Sequence, residues 1–174
     1  MRVYDFGTQD EFAASYSTYY ADLCELYFKD FVFYSDVERS ANPAQLAGID
    51  AFVLLSSGKV VTVDFKADKY DSPRFCIEIL SDVERRKPGW LIKPGYLVDY
   101  IAYLFTARDE CYFLPTEALR NAVKANYAAW KDLADRRLNG FRWIEAANKT
   151  YTTLSLGVPI EQIERLLGTN MCVS

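Results

Sequence analysis

Apolar side chains recur at three- and four-residue intervals from Phe12 through Tyr16, Tyr19, Tyr20, Leu23, Leu26 and Tyr27 to Phe31, behind the acidic opening Thr8-Gln9-Asp10-Glu11. That spacing predicts a helix over residues 8–31. Asn42-Pro43 breaks the pattern. The runs Ile49 to Leu55 and Val60 to Lys66 then flank Ser56-Ser57-Gly58, which predicts a hairpin. A third run, Phe75 to Leu80, reads as the neighbouring strand and completes a three-stranded meander over residues 49–81. Past a basic, Pro/Gly-punctuated loop, Tyr100 to Phe105 and Cys111 to Leu114 predict two more strands. A helix starts near Pro115-Thr116-Glu117 and runs to about Leu138, Tyr151 to Leu156 is strand-like, and Val158-Pro159-Ile160 opens a short helix through Leu167. The C-terminal helices and strand thus occupy residues 116–168. This order predicts an α/β (α+β) fold, with a mixed central sheet flanked by helices in a single domain over residues 1–174.

Composition narrows the class. Of the 174 residues 51% are hydrophobic, 16% aromatic and 25% charged. That mix excludes a disordered chain and supports a core that needs no disulfide or structural metal. No apolar run reaches the roughly 18 residues of a membrane span, and Met1-Arg2-Val3-Tyr4-Asp5 does not open a secretory signal. Cys24, Cys76, Cys111 and Cys172 are widely spaced, which fits reduced thiols in the cytoplasm. The chain has no histidine, which excludes Ser-His-Asp and Cys-His nucleophile systems, histidine-containing zinc sites and imidazole catalysis. Chemistry must run on carboxylates, lysine, tyrosine or a hard metal ion. A net charge of −4 argues against non-specific nucleic-acid binding. Residues 1–50, however, hold three basic and nine acidic side chains, which leaves the remainder at +2. A phosphate-binding surface outside the N-terminal third is therefore allowed.

The hairpin carries the candidate chemistry. Asp64 and Lys66 are two residues apart and share one face of their strand. With a three-residue turn and Gly58 in the left-handed conformation, Leu55 pairs with Lys59, Phe52 with Thr62, and Asp50 comes opposite Asp64. A two-residue turn would move Asp50 off that face. Facing carboxylates repel. The apolar neighbours Val53, Leu54, Val61, Val63 and Phe65 mark an interior strand, where an unpaired carboxylate is costly. Lys66 supplies one positive charge, and Mg²⁺ or Mn²⁺, which prefer oxygen ligands, would supply the other. The plainer alternative makes the aspartates strand-end charges and Lys66 a solvated partner.

Gly48-Ile49-Asp50, the hairpin, and Val63-Asp64-Phe65-Lys66 together resemble the PD-(D/E)XK nuclease superfamily, whose restriction-endonuclease-like core runs α-βββ-α-β. Ile77-Glu78, Lys87 to Leu91, Asp99-Tyr100-Ile101 and Cys111 to Pro115 are similar to a phage-encoded branch of it. The likeness covers roughly Asp10 to Leu119; it departs in having Ile in place of Pro before the first aspartate and Asp in place of Glu as the second acid. The resemblance implies a Mg²⁺- or Mn²⁺-dependent deoxyribonuclease, in the host cytosol if phage-encoded. Asp50, Asp64 and the carbonyl of Phe65 would hold the metal. Lys66 would orient or deprotonate the attacking water and stabilise charge on the phosphate.

Other positions carry weaker expectations. Glu78 is a third catalytic acid if its strand neighbours that of Asp64, or else a strand-edge charge or an arginine partner. Asp22 or Glu25 of the first helix could join the site, and Tyr100 resembles an active-site-proximal tyrosine, although a core tyrosine is commoner. Arg85, Arg86, Lys87, Trp90 and Lys93 form a basic loop around a tryptophan, suited to phosphate contact with base stacking; the alternative is a solvated loop with Trp90 in the core. Expected partners are DNA, a second copy in a homodimer, or a host or phage protein, and no membrane. The rival to the nuclease is a catalytically silent nuclease-fold protein acting by protein–protein binding, such as an inhibitor of a host defence system. The acidic N-terminal third suits charge mimicry.

Overall fold

The computed structural model describes residues 17–37, 43–147 and 150–174. The N-terminal part of the expected first helix, residues 8–16, lies outside them. The described helix is α1 (Ser17–Tyr27), followed by β1 (Phe31–Asp36), α2 (Pro43–Leu46), β2 (Ala51–Leu55), β3 (Val60–Asp68), β4 (Arg74–Asp82) and β5 (Lys87–Pro88). Then come β6 (Tyr100–Phe105), β7 (Glu110–Pro115), α3 (Thr116–Asp135), β8 (Arg142–Ala147), β9 (Thr152–Pro159), α4 (Ile160–Leu167) and β10 (Cys172–Val173). The class is mixed α+β. Among the described residues no helix is long and apolar enough to cross a membrane.

The chain divides into two compact units, each built on its own sheet. The six-stranded sheet, in the order β1-β2-β3-β6-β7-β10, lies within residues 11–71, 95–117 and 169–174. Its pairs are antiparallel except β3 with β6, which run parallel. α1 covers one face of this sheet. Tyr20, Leu23, Cys24 and Phe28 pack there against Val53, Leu55, Val61, Val63, Leu104 and Phe113, and the Tyr20 ring stacks on Phe65 at 3.9 Å.

The four-stranded sheet, in the order β5-β4-β9-β8, belongs to the unit of residues 72–94 and 118–168. All of its pairs are antiparallel. Phe75, Ile77, Leu156, Val158 and Ile163 are buried in this unit, and Trp130 of α3 sits 5.9 Å from Phe141.

Two expectations need correction. The first helix stops at Tyr27, and Phe31 to Asp36 is a strand. Phe31-Val32-Phe33-Tyr34 is a β-branched and aromatic run, and Phe31 N–H bonds the Phe28 carbonyl in the turn that separates it from α1. The meander of residues 49–81 also fails, because β4 pairs with β5 and β9 and not with β3. The consecutive antiparallel strands are instead β1, β2 and β3. Strand β8 has no counterpart among the expected elements; only Ala147 of its six residues is buried, so its alternation is faint. The strands at 100–105 and 110–115, α3, β9 and α4 fall where the pattern put them, to within a few residues.

Candidate active site

The turn after β2 sets the geometry. Gly58 has φ +82°, its N–H bonds the Leu55 carbonyl at 2.9 Å, and Leu55 N–H bonds the Lys59 carbonyl at 2.9 Å. Glycine takes this left-handed conformation without steric cost. From there the ladder runs Leu54–Val60, Val53–Val61, Phe52–Thr62 and Ala51–Val63. Just past the ladder, Asp50 N–H bonds the Val63 carbonyl at 2.9 Å, so Asp50 joins Ala51 opposite Val63 and its carboxyl lies beside Asp64 and β3. As far as Ala51–Val63 this is the register expected from the three-residue turn.

Odd-numbered side chains of β3 face α1, so Asp64 and Lys66 lie on the opposite face. Asp64 is only 2% exposed. Lys66 Nζ donates to its Oδ1 at 2.6 Å, and the Tyr96 hydroxyl donates to its Oδ2. Asp50 accepts from Phe65 N–H at 2.9 Å through Oδ2 and from Gln45 Nε2 at 3.4 Å through Oδ1. The Asp50 carboxyl stands close enough to Asp64 to influence its ionisation. Burial drives the Asp64 carboxyl up to about 7; Lys66 opposes that rise, while Asp50 adds to it. The raised carboxyl lets Asp64 hold a proton near neutral pH. In a strand the N–H and C=O of one residue point to the same edge, so the Phe65 carbonyl faces the Asp50 side.

Tyr96 was not foreseen, and its placement is over-determined. Leu97 N–H bonds the Ala47 carbonyl at 3.0 Å, and Asp99 N–H bonds the Thr62 carbonyl at 3.1 Å. Asp99 Oδ2 takes Thr62 N–H at 2.8 Å and lies 2.9 Å from the Thr62 hydroxyl. These bonds clamp residues 97–99 onto β3 and onto the segment that follows α2. Gly48, with φ +83°, leaves room for the Tyr96 ring, which a Cβ there would overlap. The glycine of Gly48-Ile49-Asp50 therefore acts through Tyr96. The faint signals in the sequence were Thr62, on the Asp64 face and in need of a polar partner, and a tyrosine set directly after Pro94-Gly95.

Other expected residues stand elsewhere. Asp22 and Glu25 are exposed on α1, which packs on the opposite face of the sheet, and neither is bonded to the aspartate pair. Tyr100 packs on that same α1 face, edge-on to Phe28 at 5.3 Å. Glu78 lies on β4 of the four-stranded sheet, so the strand pairing meant to bring it beside Asp64 does not occur. Its Oε1 accepts from Trp90 N–H at 3.3 Å. Gly89 presses against the β4 backbone, where a Cβ would meet the Glu78 carbonyl, and its N–H bonds the Ile79 carbonyl at 2.8 Å. Arg85 is tied to Asp82 at 3.0 Å, and its backbone N–H, the larger influence, holds the Asp82 carboxyl below the usual range. Arg86, Lys87 and Lys93 are exposed, and Trp90 is half-buried.

Among the described residues no group of three or more His, Cys, Asp and Glu side chains is arranged to hold a metal. Comparison with family models, curated proteins and solved structures finds no match to this chain.

Proposed function

We propose that the six-stranded unit carries the centre of a metal-dependent deoxyribonuclease of the PD-(D/E)XK type, hydrolysing DNA phosphodiester bonds in the cytoplasm. The observation that carries this reading is the meeting of Asp50, Asp64 and Lys66 on one sheet face, in the register that Gly58 imposes. The order α1-β1-β2-β3, followed by a strand parallel to β3, supports a restriction-endonuclease-like core. The segment between β3 and β6 departs from that core, carrying β4 and β5 in place of a helix.

The donor set suits Mg²⁺ or Mn²⁺. Asp50, Asp64 and the Phe65 carbonyl are hard oxygen ligands, and a divalent cation relieves the repulsion between the two acids. Bound there, the ion would lower the pKa of a water and neutralise charge on the phosphate. Lys66, anchored to Asp64, presents its ammonium to a water or phosphate oxygen beside the pair. Lys66 and Tyr96 hold the two Asp64 oxygens, and Gln45 and Phe65 N–H those of Asp50, so both carboxylates are fixed in place and a cation would share oxygens that already accept hydrogen bonds. The reaction forms a bond from water oxygen to phosphorus and breaks one P–O ester bond, with the departing oxygen taking up a proton. Arg86, Lys87 and Trp90 of the four-stranded unit are offered as DNA contacts.

The test is cleavage of labelled linear, nicked and branched DNA with Mg²⁺ or Mn²⁺. Wild-type protein should cut, EDTA should abolish cutting, and Lys66→Ala should slow it by about a hundredfold or more. Folded protein that cuts no substrate, or a Lys66→Ala variant that cuts at the wild-type rate, would overturn the reading. One observation favours the silent, protein-binding alternative. Both Asp64 oxygens already have side-chain donors, so Lys66 and Tyr96 can satisfy a buried carboxylate without a metal.

A further inference from the structure

The sheet face that carries Asp50 and Asp64 continues towards the β2–β3 turn in two more cross-strand rows. Ser35, Phe52 and Thr62 form the row next to the acids, and Phe33, Leu54 and Val60 the row beyond. Successive rows on one face are about 7 Å apart, two residues of strand rise. These six side chains are uncharged. Phe33 is 59% exposed and Val60 52%, while Phe52 and Leu54 are half-buried. β1 is the outer strand of its sheet, so the rows are open at that edge. Exposed Lys59 stands at the turn, and Lys66 lies on the far side of the acid pair. Lys59 at the turn and Lys66 beyond the acid pair thus stand at the two ends of this stretch of β3, with the Asp99 carboxylate bonded to Thr62 at its edge. A contiguous exposed apolar surface marks a place of contact.

We propose that this face binds unpaired nucleotides, with bases stacked on Phe33 and Phe52 and the phosphate between them and Lys66 held at the acid pair. The inference rests on the nuclease reading and names its substrate class: single-stranded or frayed DNA. Aromatic side chains stack any base without reading sequence. A flat sheet can meet base faces only where they are not already stacked in a duplex. A protein partner would use the apolar rows alone. In the nuclease reading a cation at Asp50 and Asp64, with Lys66, offsets these acids and Asp99, and continuity of the apolar rows with that centre then favours a polyanion whose phosphates reach it.

Fluorescence anisotropy with labelled oligo-dT and a blunt hairpin duplex tests this on the full chain carrying Asp64→Asn, which blocks cleavage. Adding Phe33→Ala with Phe52→Ala should weaken oligo-dT binding at least tenfold and duplex binding less than about twofold. Adding Phe33→Leu with Phe52→Leu keeps the apolar area but removes stacking, and should lose most of the same affinity. Absent oligo-dT binding, an unchanged affinity in the folded leucine variant, or equal losses on both probes would overturn the proposal. So would a dimer, seen in sedimentation, that the phenylalanine changes dissolve while oligo-dT affinity stays constant. Wild-type cleavage is scored separately. If it fails while the phenylalanine-dependent oligo-dT binding holds, the nuclease reading falls and the platform stands.

Discussion

The two faces of β3 divide the labour of the six-stranded unit. On one, Val61, Val63 and Phe65 meet α1 in an apolar layer where Leu23 is only 1% exposed. On the other, one residue away at each step, Thr62, Asp64 and Lys66 form a polar network with Asp99, Tyr96 and Asp50. The first face is stabilised by leaving water. The second holds an almost completely buried carboxyl whose ionisation that same departure opposes. The difference separates what each face contributes: the apolar face sustains the fold, and the polar one holds a buried carboxyl whose ionisation costs stability.

Substitutions on the two faces should therefore act in opposite directions. Leu23→Ala empties part of the apolar layer and should cost about 2–5 kcal/mol in urea unfolding. Asp64→Asn should instead stabilise the metal-free protein at pH 8, by roughly 1–3 kcal/mol. The sign follows from the raised carboxyl. Its contribution to stability is complete below the unfolded value of 3.8 and is lost as pH rises through about 7. Thermal melts from pH 4 to pH 8 should fall more steeply for wild type than for Asp64→Asn, and parallel curves would refute the buried acid. Gly48→Ala is the smallest of the three, costing about 1–2 kcal/mol through its positive φ and the Tyr96 ring. Its diagnostic effect is to displace Tyr96 from Asp64, so cleavage should fall with little change in the melting cooperativity that reports the α1 face.

How much of this was legible in the sequence depends on the range of the interaction concerned. Gly58 determines a local turn, and from it the register down to Ala51–Val63 follows by counting, which leaves Asp50 at the end of β2 beside Asp64. α3 is a long amphipathic run and is read as easily. β1 escapes the periodicity because Phe31 continues the helical row of α1 and, as a strand residue, packs against the same core as that row. β4 looks like the next strand of a meander, yet its partner β9 is more than seventy residues on, and alternation alone cannot choose between two sheets. Tyr96 reaches Asp64 across thirty-two residues through a loop without periodicity, so its role became visible only from the Thr62–Asp99 bonds.

The account turns on whether Asp50 and Asp64 form a cation site or are satisfied by Lys66, Tyr96 and a shared proton. Mn²⁺ titration at pH 8, followed by electron paramagnetic resonance, separates the two directly. Wild-type protein should bind one Mn²⁺ per chain, Lys66→Ala should retain it, and Asp64→Asn should lose it. Wild-type protein that leaves all the Mn²⁺ free at millimolar concentration, or Asp64→Asn that binds it equally well, would contradict the account.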